Sequence, residues 1–275
     1  MLAKAPSRGA DEIVIDLEDA VAVSAKDEAR ASVVSALAEP QWGGARTSVR
    51  VNAPRTPWCH LDVIALASLP GPETIIVPKV ESPADVAFVE RLLDGAEAAA
   101  GRDAPLGVQA LIETAAGVAN CAAIAGSSPR LVGLILGYAD LSASLGRARG
   151  ASADLDSWLA IQDTLLVAAR AHGIAAIDGP YLGVKVDEGF MAAAERARDM
   201  GFDGKWAIHP AQVSTLNELF SPSEEELERA RAVIAALEDA ERDGSRGAVA
   251  LDGQMLDEAV RVAALRVLAR AAAAG

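Results

Sequence analysis

Residues 11–21, DEIVIDLEDAV, run a short apolar stretch into three carboxylates, Asp16, Glu18 and Asp19. Packing gains nothing from crowding acids at the end of a buried strand, so the cluster points to a ligand. Two further acids follow apolar runs of their own, Glu113 in LIETAAG and Asp140 in ILGYADLSASLG. If those runs are neighbouring strands, the two carboxylates meet across roughly 5 Å. They then repel, and one pKa rises, unless a cation lies between them. A hard ion that keeps several waters and takes one or two protein carboxylates describes Mg²⁺, with Asp16, Glu18 and Asp19 holding its bound water as outer partners. The plainer alternative stays open on spacing alone: Glu113 and Asp140 cap the helices that follow them.

Arg50, in SVRVNAP, sits between Val49 and Val51 on a stretch otherwise built for burial. A buried guanidinium needs an anion, either one of these acids or a ligand carboxylate. Lys79, in IIVPKVES, could form a Schiff base, but acidic neighbours favour an ordinary ammonium paired for structure. His60 and His209 are too far apart for a histidine metal site, and neither stands in a GxSxG or Cys/His setting. His209 is expected near the rim and His60 on the surface. Cys59 and Cys121 read as small packing residues. The pair Gly43 and Gly44 lacks the context of a dinucleotide-binding loop.

Short β-branched runs alternate with amphipathic or Ala-rich segments, the pattern of βα units feeding a parallel sheet. Strands are predicted at 12–16, 47–51, 74–79, 106–112, 131–137, 174–178 and 205–208. Most end in a polar residue, including Asn52, Glu81, Thr114 and Asp178 beside those named above, as expected where βα loops build one functional rim. Helix starts are predicted at Ser24 with Asp27, at Ser82 with Pro83 and Asp85, and at Ser221 with Pro222 and the acids 224–226. A glycine-containing joint, DGSRGAVALDGQ, then leads to a last helix ending near Ala273. The fold class is therefore α/β, with residues 1–221 a TIM (β/α)8-type barrel and 222–275 a C-terminal helical extension. Only seven strands are visible, and a closed barrel needs an eighth.

The formal charge of −14 over 275 residues disfavours a broad nucleic-acid surface. No apolar run reaches the roughly 18 residues of a membrane span. Two cysteines without metal spacing, and no apolar leader, lead to the expectation of a cytoplasmic protein.

The ordered segments VIDLEDAV, VRVNAPRTPW, IIVPKVES, IETAAGV, GYADL, WAIHPAQV and GAVALDGQMLDEAV resemble the citrate lyase β-subunit-like, or CitE-like, CoA-ester lyases, which include malyl-CoA and citramalyl-CoA lyases. The resemblance covers essentially the whole chain. It implies an eight-stranded TIM barrel with a helical extension that packs on a neighbouring subunit, usually in a trimer. It also implies Mg²⁺ held by Glu113 and Asp140, with Glu18 and Asp19 among its outer acids. Arg50 is implied to bind the keto-acid or hydroxy-acid part of the substrate, and Asp257, in QMLDEAV, to be a lid acid/base group. The partners implied are an acyl-CoA or acyl-carrier thioester and an α-keto acid. A thioesterase outcome, a non-catalytic homologue and a pyruvate-dependent aldolase of the HpaI type are the competing readings. The family opens with a strand resembling RSxLFVPG and then RPxMLEKA; this chain begins within the latter, so the first barrel strand is expected to be absent from it. Ala259 replaces the proline usual in the family's lid.

Overall fold

The computed structural model describes residues 5–38, 44–147, 155–242, 249–251 and 253–274. Residues 1–4, Gly43 and most of the joint at 243–254 lie outside them. The chain divides into two compact units, residues 1–216 and 217–275.

The first unit alternates strand and helix. Its strands are β1 (Glu12–Asp16), β2 (Arg46–Arg50), β3 (Thr74–Val77), β4 (Gly107–Ile112), β5 (Leu131–Leu136), β6 (Ala175–Asp178) and β7 (Gly204–Lys205). They form one parallel sheet in which every neighbour in space is the neighbour in sequence. The intervening helices are α1 (Lys26–Leu37), α2 (Cys59–Ala67), α3 (Pro83–Ala100), α4 (Ala115–Ala119), α5 (Cys121–Ala125), α6 (Tyr138–Ser144), α7 (Leu159–Ala171) and α8 (Glu188–Met200). Such strands are covered on both faces, which is why β3 reads TIIV without alternation and is buried throughout.

The sheet curls. Val14 of β1 packs with Ile76, Leu111, Ile135, Ile177 and Trp206 in one interior cluster drawn from both ends of the strand order. One layer toward the strand N-termini, Glu12 Oε1 accepts hydrogen bonds from Ser48 and from Gln109 Nε2, the latter at 2.6 Å, with Thr74 beside them. One layer toward the C-termini come Asp16, Arg50 and Glu113. The parallel register places Asp16 directly opposite Arg50. Stacked interior layers are the packing logic of α/β barrels, but the described strands of this sheet number seven, with β1 and β7 at the edges.

Helix starts follow local chemistry, with two corrections. Ser82 and Asp85 form the expected capping box, with Pro83 in the first turn. Ser24 does not cap α1; residues 23–25 form a 3-10 turn and Ala25 takes the cap position without a side-chain bond. The helix expected from Ser221 begins at Glu224 instead. There Ser223 Oγ accepts from Glu226 N at 3.2 Å, while Glu226 Oε2 accepts from Ser223 N at 2.7 Å. The strand predicted at 205–208 is only Gly204–Lys205, because Trp206 turns into the interior cluster.

In the second unit, α10 (Glu224–Arg242) and α11 (Glu258–Ala274) share a core of Ala230, Val233, Leu237, Leu256 and Ala264. Between them lies an antiparallel pair, β8 (Val249–Leu251) and β9 (Gln254–Leu256). The short α9 (Val213–Phe220) spans the division between the units.

Candidate active site

At the C-terminal ends of β1 to β5 the acids expected from the sequence gather around Arg50 and Lys79. Asp16 closes β1, and its two oxygens accept from the backbone N–H groups of Glu18 and Ala20. The same oxygens take a bidentate grip from Arg50, Nε to Oδ1 at 2.8 Å and Nη2 to Oδ2 at 2.6 Å. Arg50 therefore finds its structural anion within the chain. Its Nη1 stands 3.1 Å from Glu18 Oε2 without hydrogen-bond alignment, and that buried oxygen accepts no hydrogen bond.

Lys79 is the hub. Its backbone N–H donates to Glu113 Oε1 at 2.9 Å, its Nζ donates to Glu18, and Nζ stands 3.4 Å from Asp19 and 3.9 Å from Asp140. This reach is obtained with a left-handed backbone, φ 52°, uncommon for any residue but glycine. Burial by itself would lower the Lys79 pKa, but the bond to Glu18 and the charges of Glu113 and Asp140 raise it above the ordinary range. With Nζ bonded to Glu18 and facing Asp19 and Asp140, Lys79 is seated as an ion-pair partner, as the paired structural reading expects.

Glu113 and Asp140 do not cap their helices. Thr114 caps α4, accepting from Gly117 N at 3.0 Å, and Gly137 precedes α6, in whose first turn Asp140 lies. Glu113 is almost wholly buried and presses on Gly137: a Cβ there would come 2.6 Å from both Glu113 Cβ and Oε2. The glycine before YAD is thus a packing requirement of the neighbouring carboxylate. Burial first, then the charges of Glu18 and Asp140, push the Glu113 carboxyl up to about 8. Burial also raises Glu18. Asp16 goes the other way: burial opposes ionisation, yet Arg50 and two backbone N–H groups hold it below the usual carboxylate range.

Five carboxylates thus face two cationic side chains. All the donors are oxygens, which suits a hard cation rather than a soft one. Among the described residues no group of three or more His, Cys, Asp or Glu is arranged as a ready ligand set. A cation held by Glu113 and Asp140 would accordingly keep much of its water, a coordination habit of Mg²⁺, and would offset the cost of burying Glu113 near Glu18 and Asp140. The residues present fit the group.

The remaining rim residues divide differently from the expectation of one convergent site. Asp178 joins a separate buried network: it accepts from Tyr138 Oη and Lys205 Nζ, and Gln162 Nε2 donates to Tyr138 Oη at 2.8 Å. Asn52 turns to the buried Asp62, whose other oxygen takes Arg30 Nε at 2.6 Å. His209 Nδ1 accepts from Ala211 N at 3.2 Å and caps the turn 210–212; His60 is exposed. Cys59 and Cys121 are free and buried, and burial pushes their thiols up to about 12 and about 11. Asp257 belongs to the second unit, where its exposed side chain accepts from Val260 N at 3.0 Å and caps α11. The sequence reading did not find Lys26, whose buried Nζ donates to Leu17 O at 2.9 Å and Glu18 O at 2.7 Å and so pins the acid loop. Nor did it find Tyr138, Gln162 or Lys205; a lysine opening a predicted strand, in KWAI, was the available signal.

Residues 1–210 match the family described as HpcH/HpaI aldolase/citrate lyase. The L-malyl-CoA/beta-methylmalyl-CoA lyase of Cereibacter sphaeroides is 40% identical over 271 residues, covering 92% of this chain and 85% of that protein. The (3S)-malyl-CoA thioesterase of the same organism is 42% identical over 275 residues, covering 99% and 90%. Among solved structures, CitE from Mycobacterium tuberculosis in complex with magnesium, acetoacetate and coenzyme A aligns with a TM-score of 0.75 at 35% identity, over 98% of this chain and 95% of that one. The chain belongs to the HpcH/HpaI aldolase/citrate lyase family, and its class is that of the carbon–carbon lyases.

Proposed function

We propose that this protein is a Mg²⁺-dependent lyase that cleaves, or forms, a β-hydroxyacyl thioester of coenzyme A or an acyl carrier, of the malyl, citramalyl or citryl type. The products in the cleavage direction are an α-keto acid and an acyl thioester. The observation that carries this reading is that buried Glu113 and Asp140 both border Lys79, near Arg50, at strand ends of a chain 40% identical to a malyl-CoA lyase.

Glu113 and Asp140 would hold the cation, and Asp16, Glu18 and Asp19 would accept hydrogen bonds from its waters. When bound, the ion supplies Lewis-acid stabilisation of oxygen charge. Arg50 orients the substrate carboxylate with the part of its donor fork that Asp16 leaves unused. The β-hydroxyl passes its proton to a carboxylate of the rim, the bond between the α and β carbons breaks, and its electron pair passes into the thioester as an enolate. Asp257 returns a proton to that α carbon, or removes one in the condensation direction. An eight-stranded TIM-type barrel and a homo-oligomeric assembly, a trimer, complete the proposal.

A second reading is favoured by the similarity to a malyl-CoA thioesterase: water admitted to the same site hydrolyses the thioester. Incubation with Mg²⁺ and malyl-CoA separates the two. Acetyl-CoA with glyoxylate is the expected outcome, abolished by EDTA, whereas free CoA with malate assigns hydrolysis. No turnover of any malyl, citramalyl or citryl thioester overturns both.

A further inference from the structure

We infer that Lys79 is a built-in counter-ion of this site, which holds the acid cluster together before a divalent cation binds and competes with that cation for the same carboxylates. The inference rests on the metal reading above and goes beyond it by assigning a role to a residue outside the ligand set.

Three observations carry it. First, Lys79 meets every acid of the cluster except Asp16: Glu113 through its backbone N–H, and Glu18, Asp19 and Asp140 through Nζ. Second, the two cations are built differently. Arg50 is committed to Asp16 by two aligned hydrogen bonds along facing strands, whereas the Lys79 ammonium rides on a flexible four-carbon stem that is one-third exposed and has solvent to retreat into. Third, the left-handed backbone of Lys79 is a local cost, and what it secures is this placement over the acids.

Electrostatics then fixes the direction of the effect. An ammonium about 4 Å from Asp140 lies within a few ångströms of any ion that carboxylate binds, and two positive groups so close repel strongly in a partly buried site. Cation binding must therefore be weaker with Lys79 present than without it, and the ammonium must move outward when the ion arrives. Lys79 thereby sets an exchangeable rather than a tight affinity, and it spares the ion-free protein an uncompensated cluster of acids.

Titration calorimetry of Mg²⁺ into the wild-type chain, Lys79→Met and Lys79→Arg tests this directly. Lys79→Met should bind Mg²⁺ at least about tenfold more tightly, with Lys79→Arg close to wild type. Should the Met variant fold poorly, the wild-type protein gives a second readout. Reductive methylation followed by mass spectrometry should show Lys79 labelled faster with Mg²⁺ than without. Unchanged or weaker Mg²⁺ binding by Lys79→Met, or unchanged or slower labelling, overturns the counter-ion role. Failure of the wild-type chain to bind Mg²⁺ at all overturns the metal reading instead, a result these arms keep distinct.

Discussion

Arg50 shares Glu18 with Lys79 but is held to Asp16 in a fixed posture, and its chemistry depends on its planar fork. Both of its contacts to Asp16 are used, leaving only part of one fork for a substrate carboxylate. A lysine at this position keeps the charge and loses the fork. Arg50→Lys is therefore predicted to lower kcat/KM about 10- to 100-fold, the equivalent of one charge-assisted hydrogen bond, while Mg²⁺ affinity changes little. Steady-state kinetics beside calorimetry reads this split. Six of the seven residues named from the sequence, Asp16, Glu18, Asp19, Arg50, Glu113 and Asp140, do meet around one point. They were legible because an acid or arginine at the end of an aliphatic run has no packing reason to be there. That Lys79 pairs with acids was expected from the sequence; its position among four of them was not. It comes from a left-handed backbone and from partners on three other elements, neither of which leaves a mark on local sequence.

At the scale of elements, strand ends and the first turns after them do the positioning. β4 delivers Glu113, and the turn into α6 delivers Asp140, with Gly137 as the point where the two elements touch. Gly137→Ala forces a methyl group into Glu113. It is predicted to cost about 1–3 kcal/mol of stability and to weaken Mg²⁺ binding, readable by urea unfolding and by calorimetry on the same sample. The strands were visible beforehand because strands of a parallel sheet are aliphatic throughout and bounded by Gly, Pro and charged residues. β7 was overextended, since the apolar Trp206 and Ile208 continue the pattern while the backbone has left the ladder. The network of Tyr138, Gln162, Asp178 and Lys205 was invisible because its members lie on separate elements between residues 138 and 205, and only the fold makes them neighbours.

At the scale of the whole molecule the first unit supplies the acid rim, and the second carries Asp257 at the start of α11. If the lid aspartate serves the site of a neighbouring subunit, two inactive variants should repair one another. Mixing Glu113→Ala with Asp257→Ala, after dissociation and reassembly, is predicted to restore measurable lyase activity, while either variant alone stays inactive. Activity that never returns on mixing would place Asp257 on its own chain's site or outside the reaction. Everything at every scale rests on Glu113 and Asp140 sharing one divalent ion. The most direct measurement is an anomalous difference map from crystals grown with Mn²⁺ in place of Mg²⁺. A single strong peak bonded to a carboxylate oxygen of both residues is expected, lost in Glu113→Gln. A peak elsewhere, or none at the rim with Lys79 still seated on the acids, would contradict it.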